Sequence, residues 1–198
     1  MIMEKLLTRY PALISCREDI LKAENTLTEC YRNGGKTLLC GNGGSAADCE
    51  HIAGELLKGF LSARTVTDER LSEDIRKELQ ASLPAIPLPS FTAALTAAQN
   101  DLNPTFAYAQ LLYGLGKAGD VLIALSTSGN AENVCNAARV ARAIGMRVIA
   151  LTGRNGGKLC SLSDVCIIVP EQETYKIQEL HLPIYHYLCA QVEAFFFG

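Results

Sequence analysis

The stretch "KTLLCGNGGSAADCEHIAGELL", Lys36 to Leu57, carries the reading of the fold. Its apolar opening runs straight into Gly41, Gly43, Gly44 and Ser45, the pattern of a buried strand ending in a tight turn. "AADCEHIAGELL" then continues as a helix. The same grammar returns at "DVLIALSTSGN", Asp120 to Asn130, a buried strand followed by a hydroxyl-rich turn, with "AENVCNAARVARAIG" as its helix, ending at Gly145. "MRVIALTG" and "DVCIIVP" add two short β-branched runs, separated by a loop around Gly153, Gly156 and Gly157. Strands alternating with helices imply βαβ units, hence an α/β fold: a doubly wound parallel sheet with helices on both faces. "LPAIPL", Leu83 to Leu88, reads as a further strand whose prolines withhold ladder donors and place it at a sheet edge.

Residues 3 to about 33 carry apolar positions at mixed three and four spacing, a helical segment interrupted at Pro11. The last segment, "QETYKIQELHLPIYHYLCAQVEAFFF", reads as one long helix with Pro183 inside it. Between them, residues 61–83 are charged and poor in apolar side chains, an excursion expected to be a solvated flap with one surface helix. At 198 residues and 48% hydrophobic, the chain fits one domain spanning 1–198.

Eighteen basic and 21 acidic side chains are spread along the sequence for a net charge of −3, so no region offers the field a nucleic acid needs. Glu4, Lys5, Arg9 and Arg17 break the apolar positions at the start, which suits neither a signal peptide nor a membrane span and predicts a cytoplasmic protein. The eight cysteines are scattered without a C-x-x-C and read as small buried hydrophobes, with Cys49 singled out by its place beside the first turn.

In an open parallel sheet, ligands bind beyond the carboxyl ends of the strands, where turns feed helix N-termini. "CGNGGS" brings glycines that admit a ligand to backbone N–H groups, and "STSGN" brings the hydroxyls of Ser126, Thr127 and Ser128. Two such turns at corresponding positions describe a cradle for a compact phosphate ester. Without a Walker lysine or G-x-G-x-x-G spacing, no nucleotide is indicated.

Only three histidines occur. His51 and Glu55 stand at i and i+4 on the helix that starts at the first turn, sharing one face. Gln178 and His186 lie eight apart on the terminal helix, while His181 points away from His186 and reads as a packed or subunit-contact residue. Two imidazoles, a carboxylate and a carboxamide suit a metal such as Zn²⁺, and suit equally a general base with a general acid.

Together, "CGNGGSAADCEHIAGEL", "STSGN", "ALTGRNGGKL" and "ETYKIQELHLPIYH" resemble the sugar isomerase (SIS) domain family, specifically its phosphoheptose isomerases, in order and over nearly the whole chain. The resemblance implies a five-stranded, flavodoxin-like three-layer sandwich with an N-terminal helix and a long C-terminal helix. It further implies a homotetramer and the conversion of D-sedoheptulose 7-phosphate to D-glycero-D-manno-heptose 7-phosphate. By position, Ser45, Ser126, Thr127 and Ser128 match the family's phosphate-binding hydroxyls, and Asn42, Gly43, Gly44, Asn100, Asp101 and Gln178 fall in its substrate-binding segments. Glu55 matches the catalytic base, His186 the acid, and His51, Glu55, Gln178 and His186 a zinc-binding set of some members. Noncatalytic relatives with this fold, including a regulator of replication initiation, lack the glutamate or the late histidine; the chain keeps both. It departs from the family at Ala131, where a further serine is common, in the longer 61–83 excursion, and at Lys58 and Gly59, where an arginine is expected. Those departures leave a different phosphosugar open as the substrate. In a tetramer, the Glu55 and His186 helices of one site are free to come from different subunits.

Overall fold

The computed structural model describes residues 2–198. From the N-terminus, α1 (Met3–Arg9) and a 3-10 turn beginning at Pro11 lead into α2 (Arg17–Arg32), β1 (Thr37–Cys40) and α3 (Gly44–Leu57). A short α4 (Glu73–Glu78) precedes β2 (Ala85–Pro87), α5 (Thr92–Asp101) and α6 (Ala107–Leu115). The second half alternates strictly: β3 (Val121–Leu125), α7 (Glu132–Ala143), β4 (Arg147–Thr152), α8 (Gly157–Ser161), β5 (Val165–Ile168) and α9 (Thr174–Phe197).

The five strands form one parallel sheet in the order β2-β1-β3-β4-β5. β1 and β3 are buried along their whole length because helices cover both faces, which is why they read as continuous apolar runs. Alternate residues divide between two cores. Leu39, Ile123, Leu125, Ile149 and Leu151 face α2, α3 and α9, whereas Leu38, Cys40, Leu122, Ala124, Val148 and Ala150 face α6, α7 and α8. β2 occupies an edge, as its prolines require. Among the described residues no helix is long and apolar enough to cross a membrane.

Two features depart from the sequence reading. Two helices, α5 and α6, occupy a stretch to which no element was assigned; α5 buries only Ala98, so its sequence lacks the apolar stripe that announces a helix. Pro183 sits inside α9 without ending it, as the sequence reading has it. And the excursion, although α4 itself buries nothing, is not a free flap. Arg64 is 1% exposed: its Nε donates to Glu193 Oε1 at 2.8 Å, while its terminal nitrogens donate to the carbonyls of Glu55 and Leu56 at 2.8 and 2.5 Å. The Glu193 carboxylate also accepts from the amides of Phe60 and Leu61, both at 2.7 Å. Burial pushes the Glu193 carboxyl up, but those amides and the guanidinium more than offset it and hold the group below the usual glutamate value.

The C-terminal aromatics are partly covered within the chain: Phe196 meets Tyr31 edge-on at 6.3 Å and Phe197 lies under Arg64, leaving Phe195 exposed. His181 is fully buried, with Nε2 3.3 Å from the Thr152 carbonyl oxygen, so of its two expected roles the packed one holds within this chain.

Removing Arg64 strands a buried carboxylate and two helix-end carbonyls. Arg64→Met is expected to cost about 3–5 kcal/mol in urea denaturation, part of it recovered when Glu193 is also made Gln. Burial lowers the His181 pKa from 6.5 to about 4, so the unfolded chain binds a proton that the folded chain refuses. Its contribution to stability is complete above pH 6.5 and is lost as the pH falls towards 4. His181→Leu is expected to lose less stability than the parent over that interval, measured by denaturant midpoints at stepped pH.

Candidate functional site

The strand order reverses between β1 and β3, so the turns leaving them diverge to α3 and α7 and open a crevice at the carboxyl edge of the sheet. A cavity of about 140 Å³ lies there, walled by Asn42 and Ser45 of the first turn, Ser126, Thr127 and Ser128 of the second, and Thr174 and Gln178 of α9. Three helix N-termini therefore point at one small space, each presenting unpaired N–H groups and the positive end of its dipole. Ala131 borders the same cavity, confirming that a serine there would have added a hydroxyl. Thr174, which the sequence did not single out, supplies one from the opposite wall.

The two turns are locked to each other. Asn42 and Asn133 exchange side-chain amide hydrogen bonds, each 2.9 Å, across the crevice. Gly129 holds φ +65°, and a Cβ added there would fall 1.9 Å from the Gly156 carbonyl oxygen. The loop around Gly156 thus packs backbone against backbone beneath the hydroxyl turn, with Leu159 N donating to Gly129 O at 2.9 Å and Lys158 N to Asn130 Oδ1 at 3.1 Å.

Further along, α3 and α9 bring His51, Glu55 and His186 together, their ligand atoms all within 4.8 Å of one another. His51 Nε2 lies 3.2 Å from Glu55 Oε1 and 3.3 Å from His186 Nε2. Glu55 Oε2 points elsewhere, 3.7 Å from Lys58 Nζ. Phe60, held by Glu193, packs against the His186 ring at 5.5 Å between centroids. Partial burial lowers the His186 pKa and the neighbouring His51 lowers it further, against an opposing pull from Glu55, so His186 is neutral at pH 7. His51 Nε2 presents either one hydrogen or one lone pair to two facing atoms, Glu55 Oε1 and His186 Nε2, whereas the set of two nitrogens and an oxygen fits a divalent metal.

The structure brings together three of the four residues of the zinc set suggested by the sequence. The fourth, Gln178, packs its carboxamide against Gly44, about two turns before His51 on α3, and lines the hydroxyl cavity. Asn100 and Asp101 are exposed at the end of α5, bonded to each other at 2.8 Å, and do not border the cavity. Gly43 adopts φ +56° in the first turn, and Cys49 is buried with its thiol donating to Ser45 O at 3.1 Å, its pKa raised by burial, a packing residue like the other buried cysteines. Glu55 and His186 converge within one chain, so no second subunit is needed to bring them together.

The SIS domain model matches residues 12–153. This chain belongs to the SIS-domain family. It is 41% identical over 178 residues to the phosphoheptose isomerase of Rhodospirillum rubrum, a match covering 90% of this chain and 86% of that protein. Among solved structures, a phosphoheptose isomerase from Neisseria gonorrhoeae superimposes with a TM-score of 0.78 at 36% identity, covering 96% of this chain and 94% of the other. One from Francisella tularensis does so with a TM-score of 0.81 at 32% identity, covering 94% and 91%. Within the family the chain falls among the phosphoheptose isomerases.

Gly129→Ala forces a side chain into the Gly156 carbonyl. It is expected to lower the melting temperature and to weaken binding of inorganic phosphate, followed by calorimetric titration; unchanged affinity would dissociate this turn from the anion site.

Proposed function

We propose that this chain is a phosphoheptose isomerase that converts D-sedoheptulose 7-phosphate to D-glycero-D-manno-heptose 7-phosphate through an enediolate. The observation that carries this reading is the convergence of Glu55 and His186 on helices whose N-termini flank a hydroxyl-lined cavity. A phosphate held by Ser45, Ser126, Thr127 and Ser128, with Thr174 opposite, anchors one end of the sugar. That binding energy orients the reacting carbons.

Moving hydrogen between C1 and C2 requires a base at carbon and a proton carrier at oxygen. Glu55 takes the proton from one carbon and returns it to the other, and His186, in the state in which its Nε2 is not bound to metal, carries the proton between the two oxygens. The two Glu55 oxygens have different surroundings, which lets one serve the cluster while the other acts as base. His51, Glu55 and His186 would hold a Zn²⁺ ion, which when bound supplies Lewis-acid stabilisation of the developing oxyanion. Asn42 and Gln178, which line the cavity, complete the substrate contacts in this reading, and Asn100 and Asp101 remain substrate contacts on the family resemblance alone. One SIS domain spanning 1–198, working as a cytoplasmic homotetramer, accords with the similarity to phosphoheptose isomerases along nearly the whole chain.

The test is consumption of sedoheptulose 7-phosphate by the purified chain with zinc supplied. Glu55→Gln and His186→Ala are each expected to lower kcat by about 10²- to 10⁴-fold with folding intact. Near-normal turnover in either variant removes that residue from its role, and an inactive parent chain points to another phosphosugar or to a noncatalytic protein.

A further inference from the structure

A second set of polar side chains lies directly behind the site. Tyr185, 2% exposed on α9, places its hydroxyl 3.1 Å from Asp48 Oδ1 and 3.0 Å from His51 Nδ1. Asp48 and His51 are one turn apart on α3, so the tyrosine bridges two residues of the facing helix. The hydroxyl has one proton for two neighbours that can both accept it. Asp48 has the stronger claim: among the described residues its other oxygen, Oδ2, is buried without a partner, which leaves Tyr185 as the carboxylate's sole side-chain donor. His51 Nδ1 must then carry its own hydrogen and donate it to the tyrosine oxygen.

We propose that Asp48 and Tyr185 are positioning residues that hold His51 as the Nδ1–H tautomer, so that its Nε2 lone pair faces Glu55 and His186. This rests on reading that cluster as the active site, but it makes a claim about one proton that holds whatever sugar the enzyme turns over. The relay explains why a tyrosine with a buried hydroxyl stands immediately before His186: the same turn of α9 delivers one imidazole to the site and fixes the orientation of the other. It also supplies what a metal-ligating imidazole requires, an acceptor for its remote N–H that sets both ring orientation and tautomer. The alternative proton arrangement, with Nε2–H donating to Glu55 and Tyr185 donating to Nδ1, would leave Asp48 with no side-chain donor at all.

Long-range ¹H–¹⁵N spectra of the full chain, prepared free of metal, read the tautomer directly. The parent protein is expected to show His51 protonated on Nδ1. Tyr185→Phe removes the acceptor for that hydrogen, and Asp48→Ala frees the tyrosine proton for Nδ1; both are expected to shift His51 towards the Nε2–H form. A merely structural role would lower the melting temperature without moving the tautomer. Zinc titration by calorimetry gives a second readout, with Tyr185→Phe expected to weaken affinity by about 10- to 100-fold. A parent His51 carrying its hydrogen on Nε2, or a Tyr185→Phe variant unchanged in both tautomer and zinc affinity, overturns the proposal. Loss of sedoheptulose 7-phosphate turnover with the tautomer as expected would instead count against the substrate assignment alone.

Discussion

Helix α3 lies against α9 on one face of the sheet, and the site exists because the two are held at both ends. At the end near the strands, Gly44 meets the Gln178 carboxamide so closely that a Cβ would come within 2.7 Å of its nitrogen. At the far end, Arg64 and Glu193 join the last turn of α3 to the last turns of α9 through a buried ion pair. Between those points, Ile52, Ala53 and Leu56 share a core with Ile177, Ile184 and Leu188. Close-packed side chains leave the helices little freedom to slide, so His51, Glu55 and His186 meet at a defined register. The 61–83 excursion thereby gains a structural meaning, since it delivers the arginine that fastens the carboxyl end of α3.

The anion cradle depends on a different constraint, the approach of main chain to main chain. Gly129 and Gly157 leave no room for a Cβ between the hydroxyl turn and the loop beneath it, and the paired amides of Asn42 and Asn133 hold the first turn to the second helix. The hydroxyls are thus set on a rigid floor at the point where three helix dipoles converge. Preorganisation of this kind gives a phosphate grip its value in catalysis, because little ordering remains to be done when substrate binds.

Legibility in the sequence followed the physics of each feature. Strands buried on both faces betray themselves as apolar runs, and glycines at turns follow from backbone sterics, so four strands and both site turns were readable from composition and order, as was the edge strand from its prolines. The pairing of His51 with Glu55 was readable because four residues make one turn. Residues 92–115 were not: α5 is rich in alanine and threonine and packs with one buried side chain, which leaves no periodic signal. Arg64 looked like one more charge in a charged segment, and only its 129-residue reach to Glu193 distinguishes it. Tyr185 and Asp48 read as ordinary members of their helices for the same reason.

By itself the sequence determined the parallel α/β architecture, the turns that face a ligand and the identity of the two helices that carry titratable groups, because these depend on local periodicity and backbone freedom. The tertiary structure decided which of those groups meet. It gathered His51, Glu55 and His186, set Gln178 beside the hydroxyl turns, left Asn100 and Asp101 on an exposed helix end, and backed His51 with a tyrosine and an aspartate. Those outcomes depend on the packing of α3 on α9, a long-range contact whose register is fixed by side-chain volume and buried charge rather than by any neighbouring residue in the chain.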